Sequence, residues 1–145
     1  MTRQINPAGL ELIKKFEGCE LTAYKDVAGN VTIGYGHFDP DLPVGTVITQ
    51  SQADAYLLDD VAIAEDAVSS MVTVELTDNQ FSALVDFTYN LGAGSLCNST
   101  LLKIINAGDY DSVPVQMLLW IHADGKEQPG LLRRREAEVA LWNTP

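Results

Sequence analysis

The chain has 145 residues, 46% of them hydrophobic, which suits one domain with a true core and leaves no apolar run long enough for a transmembrane helix. Nine basic residues against twenty acidic ones give a formal net charge of -11, which excludes a broad basic face and, with it, nucleic acid as substrate. Two cysteines, Cys19 and Cys97, are too few for a disulfide framework and read as reduced, partly buried thiols, with a Cys19–Cys97 bridge as the alternative.

The first predicted element is a helix over 7–18. Asn6 can cap it, Pro7 suits its first position, and Leu10, Ile13 and Phe16 recur at helical spacing before Gly18 stops it. Glu17 falls in the last turn, where a side chain can lean into a cleft. From Leu21 to His37, Tyr24, Val27, Val31, Ile33 and Tyr35 around Gly29-Asn30 predict short antiparallel strands joined by a tight turn. Asp26 precedes that turn and Thr32 lies on the returning strand, so the two are expected to be neighbours. Residues 38–48 read as loop with one further short strand.

Helices follow. Thr49 and Gln52 form a candidate capping box ahead of Ala53, Tyr56, Leu57, Val61 and Ala64. Thr77 and Gln80 repeat it ahead of Phe81, Leu84, Val85, Tyr89 and Leu91, with Gly92 as the stop. A shorter helix runs from Ser99 to Gly108, another from Asp111 or Ser112 to about His122, and a last one from about Leu131 to Trp142 after a GKEQPG loop. The expected organisation is one domain over 1–145: a β lobe over about 20–48 and a helical lobe over about 50–145.

Taken singly, Glu17 reads as a solvated helix end, Asp26 as a turn former and Thr32 as an ordinary strand residue. Together they place two carboxyl groups and a hydroxyl at a junction of helix, turn and strand. Cutting a glycosidic bond needs two carboxyl groups in different protonation states on opposite sides of the bond. His37 and His122 lie far apart and no cysteine–histidine cluster has zinc spacing, so no metal is expected.

The segment FEGCELTAYKDVAGNVTIGYGH, with Glu17, Asp26 and Thr32 spaced as Glu-x8-Asp-x5-Thr and followed by Ile33-Gly34-Tyr35-Gly36-His37, resembles the active-site segment of the phage lysozymes of the T-even and lambdoid type, glycoside hydrolase family 24. LTDNQFSALVDFTYNLGAGSLCNSTLLKIINAGDY is similar to the family's central helices and PGLLRRREAEVALW to its C-terminal helix. The resemblance implies an α+β, lysozyme-like fold with a cleft between a small antiparallel β lobe and a larger helical lobe. It implies cleavage of the β-1,4 bond between N-acetylmuramic acid and N-acetylglucosamine in peptidoglycan, without cofactor.

The resemblance also assigns roles. Glu17 would be the general acid, which must be protonated near neutral pH. Ionised Asp26, with Thr32, would place and activate a water for inverting attack. Phe38, Tyr89 and Ser99 match positions lining the cleft, with core packing an equal reading for Tyr89. Of Arg133, Arg134 and Arg135, which cannot all face one way, Arg134 is the favoured support behind Glu17. His37 would be structural. The implied setting is phage-type lysis by a monomer that waits in the host cytoplasm, without signal peptide or anchor, until a holin-type pore releases it. The alternatives are a chitosan- or chitin-cleaving relative, a non-catalytic glycan-binding protein on the same fold, and an antibacterial effector exported by a secretion system. The acidity departs from the many basic endolysins.

Overall fold

The computed structural model describes residues 3–145. Helix α1 covers Pro7–Glu17, with the Asn6 side chain accepting from the Gly9 N–H at 2.9 Å and Gly18 ending it. Gly9 lets α1 come very close to helix α3 (Asp78–Leu91): a Cβ on Gly9 would lie 2.6 Å from Ser82 Cβ. The Asn6 N–H donates to Ser82 Oγ at 2.9 Å, which fixes the same crossing.

A three-stranded antiparallel sheet follows, of β1 (Glu20–Lys25), β2 (Val31–Gly34) and β3 (His37–Phe38), in that order. The turn between β1 and β2 is closed by the Asp26 N–H donating to Asn30 O at 2.8 Å. Asp26 Oδ1 also accepts from the N–H groups of Ala28 and Asn30, both at 2.9 Å. Its aspartate is therefore a turn former, as expected. Val27, expected as a strand residue, is fully exposed in the turn instead, because the chain needs residues 26–30 to reverse.

Helix α2 (Gln50–Met71) starts at the Thr49–Gln52 capping box and buries Ala53, Leu57, Val61, Ala64 and Val68 along one face, against β2 and α3. Glu65 on the same face is also buried and accepts the Ile5 N–H at 2.6 Å. Helix α3 starts at the Thr77–Gln80 capping box and is the hub of the molecule. Its residues 81–88 are all buried, and α1, α2 and the last helix, α7 (Pro129–Trp142), pack around it.

Four expectations change. Gly92 does end α3, but a further short helix, α4 (Ala93–Cys97), starts from the same glycine before α5 (Thr100–Asn106). The helix expected to reach about His122 stops early, as α6 (Val113–Met117). The apolar run after it leaves helical geometry and sets Trp120 edge-on against Phe87, ring centres 5.6 Å apart. The GKEQPG segment, expected as loop, contributes to a two-stranded hairpin, β4 (His122–Ala123) with β5 (Lys126–Glu127), turning at Asp124-Gly125. Finally, Cys19 and Cys97 are free but exposed rather than partly buried: Cys19 lies just past α1 and Cys97 is the last residue of α4.

Candidate active site

A cavity of about 460 Å³ opens where the sheet meets the helical lobe, lined among others by Glu17, Phe38, Asp60, Thr88, Tyr89 and Asn90. Glu17 reaches it from the last turn of α1, as its place before Gly18 predicts. A second cavity of about 400 Å³ lies on the other side of the same residue, with Lys15, Phe16, Arg133 and Arg134 in its wall.

The Glu17 carboxyl is held at one oxygen and closely flanked at the other. Oε2 accepts from Arg134 Nη1 at 2.7 Å. Oε1 lies against Gly36, in the turn between β2 and β3, where a Cβ would sit 3.0 Å away. Gly36 has φ +79°, a left-handed conformation that disfavours any side chain. Glycine is thus required there twice, by its backbone and by the carboxyl beside it.

Arg134 is buried and makes a planar pair with Asp86 of α3: Nε to Oδ2 at 3.1 Å and Nη2 to Oδ1 at 3.0 Å. Burial opposes the guanidinium charge, but the hydrogen bonds and charge of Asp86, with those of Glu17, outweigh it and hold Arg134 firmly protonated. Arg135, one residue on, turns inward. Its Nη2 reaches Asn90 Oδ1 at 2.6 Å and Glu138 Oε2 at 3.0 Å. Arg133 is exposed. Burial, then the neighbouring Asp86 carboxylate, pushes Glu138 well up, against the pull of Arg135. Of the three arginines, Arg134 stands behind Glu17, as expected.

Of the candidates on the sheet and its turn, one reaches the cavity wall. Thr32 pairs with Tyr24 on one side and with Phe38 on the other, so these three side chains share one face. Phe38 on that face lines the cavity with Glu17. Thr32 is 7% exposed, and its hydroxyl lies 3.5 Å from Asn30 O. Asp26, two residues after Tyr24, is half-buried; Oδ1 is committed to the turn, which leaves Oδ2 available. Neither Asp26 nor Thr32 is in the cavity wall itself.

Tyr89 lies at the cavity and also packs against the core, so the two readings of it meet in one side chain. Its hydroxyl donates to Tyr35 O at 2.8 Å, tying α3 to the sheet. Burial, then the charge of Glu17, pushes its phenol far up, so it is neutral throughout the working range. His37 contacts Asp60 Oδ2 through Nδ1 at 2.8 Å and stacks on Tyr56, ring centres 4.1 Å apart, a clamp between sheet and α2. Ser99 is a correction. It is buried, accepts from the Leu102 N–H and donates to Leu96 O, so its hydroxyl is spent on capping α5 and does not reach the cavity.

Asp86, Asp60 and Asn90 escaped the sequence reading. Asp86 had a signal: a lone aspartate inside the apolar run FSALVDFTYNL, which in a buried helix demands a cation. No group of three or more metal-ligating side chains forms among the described residues, and none of their helices is long and apolar enough to cross a membrane.

The phage lysozyme family profile matches residues 14–138 of the chain. The chain belongs to the phage lysozyme family. It is 42% identical over 144 residues to the endolysin of Acyrthosiphon pisum secondary endosymbiont phage 1, covering 97% of this chain and 98% of that protein. It is 43% identical over 142 residues to the endolysin of Bacillus phage B103, but spans only 54% of that longer protein. Among solved structures, the muramidase domain of SpmX from Asticaccaulis excentricus superposes with a TM-score of 0.91 at 36% identity, covering 99% of both chains. This phage lysozyme thus has the α+β lysozyme fold, and its cavity lies at the junction where the family resemblance placed the cleft.

Proposed function

We propose that this phage lysozyme is a peptidoglycan hydrolase of the endolysin type, a muramidase that cleaves the β-1,4 bond between N-acetylmuramic acid and N-acetylglucosamine during bacteriophage lysis. The observation that carries the reading is the Glu17 carboxyl, set in the wall of a cavity of about 460 Å³ and held by Arg134, with Gly36 leaving space beside it. Membership of glycoside hydrolase family 24 is part of the same proposal.

In the proposed reaction Glu17 donates its proton to the leaving glycosidic oxygen. Asp26, ionised, orients a water with Thr32 on the opposite face of the sugar and accepts its proton as the water attacks the anomeric carbon. The configuration inverts, as a separation of roughly 6.5–9.5 Å between the carboxyl groups would require. Phe38 and Tyr89 offer apolar area to the sugar rings. No metal is invoked. The enzyme would act as a monomer, held in the host cytoplasm until a holin-type pore admits it to the wall.

Wild type and Glu17→Gln compared on purified cell walls test the reading. Loss of general-acid catalysis costs about 10²–10⁴ in rate, so the variant should not clear the suspension measurably while keeping its thermal stability. Equal clearing by both proteins would refute the assignment. NMR of the newly released reducing end checks the stereochemistry, since net retention would remove the water-placing role of Asp26 and Thr32.

A further inference from the structure

A proton donor that faces an arginine has a problem. The guanidinium favours the carboxylate form and so works against proton donation. Arg134 directs three N–H groups outward, and Glu17 receives one of them. The other two go to Asp86, which is fully buried and does not line the cavity. A planar, two-bond pair with a buried carboxylate offsets the guanidinium charge and holds its plane before Glu17 meets it.

We propose that Asp86 is a positioning residue for the reaction: it orients Arg134 through two N–H groups and offsets its charge, so that Glu17, on the third, keeps the proton it must donate. This rests on the general-acid reading of Glu17. The groups facing Glu17 are Arg134 from α7, Tyr89 from α3, Asp60 from α2 and Lys15 on its own helix. Those facing Asp86 are Arg134, Arg135 and Glu138 from α7 and the Tyr89 phenol on its own helix. Glu138 pairs with Arg135 rather than with Arg134, so the carboxylate that balances Arg134 is that of Asp86.

The test is the pH profile of kcat/KM. In Asp86→Asn, Arg134 acts on Glu17 alone, and the alkaline limb should move to lower pH by about one unit, a loss of about tenfold on that limb. Glu138→Gln removes a buried carboxyl of the same cluster without touching Arg134 and should move the limb less. A uniform fall at all pH values in Asp86→Asn, or an equal shift in Glu138→Gln, would overturn the proposal in favour of a merely structural role. Carbon-13 titration of the Glu17 carboxyl in wild type and Asp86→Asn should show the same displacement whether or not walls are cleaved. Wild type inert on walls would therefore defeat the function and leave this test standing. If Asp86→Asn does not fold, the wild-type carboxyl spectrum decides: Asp86 must stay ionised across the range in which Glu17 titrates, and an Asp86 protonated there defeats the proposal.

Discussion

Gly36 shows how narrowly one residue constrains the site. Its φ is +79°, and a methyl group on it would press on Glu17 Oε1 at 3.0 Å, so the carboxyl would have to give way. Gly36→Ala should destabilise the fold by about 1–3 kcal/mol through backbone strain. It should also depress wall clearing at temperatures where the variant is fully folded, because the carboxyl must move. Denaturant unfolding and turbidity assays on the same sample separate the two effects. Glu17 at the end of α1, Asp26 in its turn and Thr32 on its strand were legible as positions, because the signals that set them are short and local. Asp86 was not, because its meaning comes from Arg134, 48 residues away. Ser99 was misread for a related reason: a serine before a helix suits a cap and a cleft equally well, and only its partners Leu96 and Leu102 decide.

At the scale of elements, the long helices were legible because capping signals and apolar periodicity agree. Both predicted capping boxes form, with Thr49 and Thr77 accepting from the N–H groups of Gln52 and Gln80 at 3.1 Å. Thr77→Ala should cost about 1 kcal/mol. That corresponds to a fall in Tm of about 2–4 °C for a domain of this size. Calorimetry reads it, and wall clearing at 25 °C should be unchanged, since Thr77 is remote from the cavity. The region after Met117 was not legible. Its turn to an extended path is set by Trp120 docking on Phe87 of α3, a tertiary contact that outweighs local helix preference. The β4–β5 hairpin is too short, at two residues per strand, to carry a period-2 signal.

For the molecule as a whole, the net charge of -11 sets the terms of approach to an anionic wall. Like charges repel, and salt screens them over about 10 Å at 0.1 M. Wall clearing should therefore quicken as ionic strength rises from about 10 mM to 150 mM, the reverse of the behaviour expected of a basic enzyme. Initial clearing rates over that series measure it; a steady fall with salt would mean that a local cation patch, not net charge, governs encounter. The sheet and the helices that flank the cavity also carry a built-in handle. Cys19 stands at the entrance to the sheet and Cys97 at the end of α4 in the helical lobe, both free and exposed. Neither is needed for the proposed chemistry. A maleimide dye on each would turn the unaltered protein into its own molecular ruler, reporting by energy transfer whether the distance between sheet and α4 changes when a sugar chain enters and leaves.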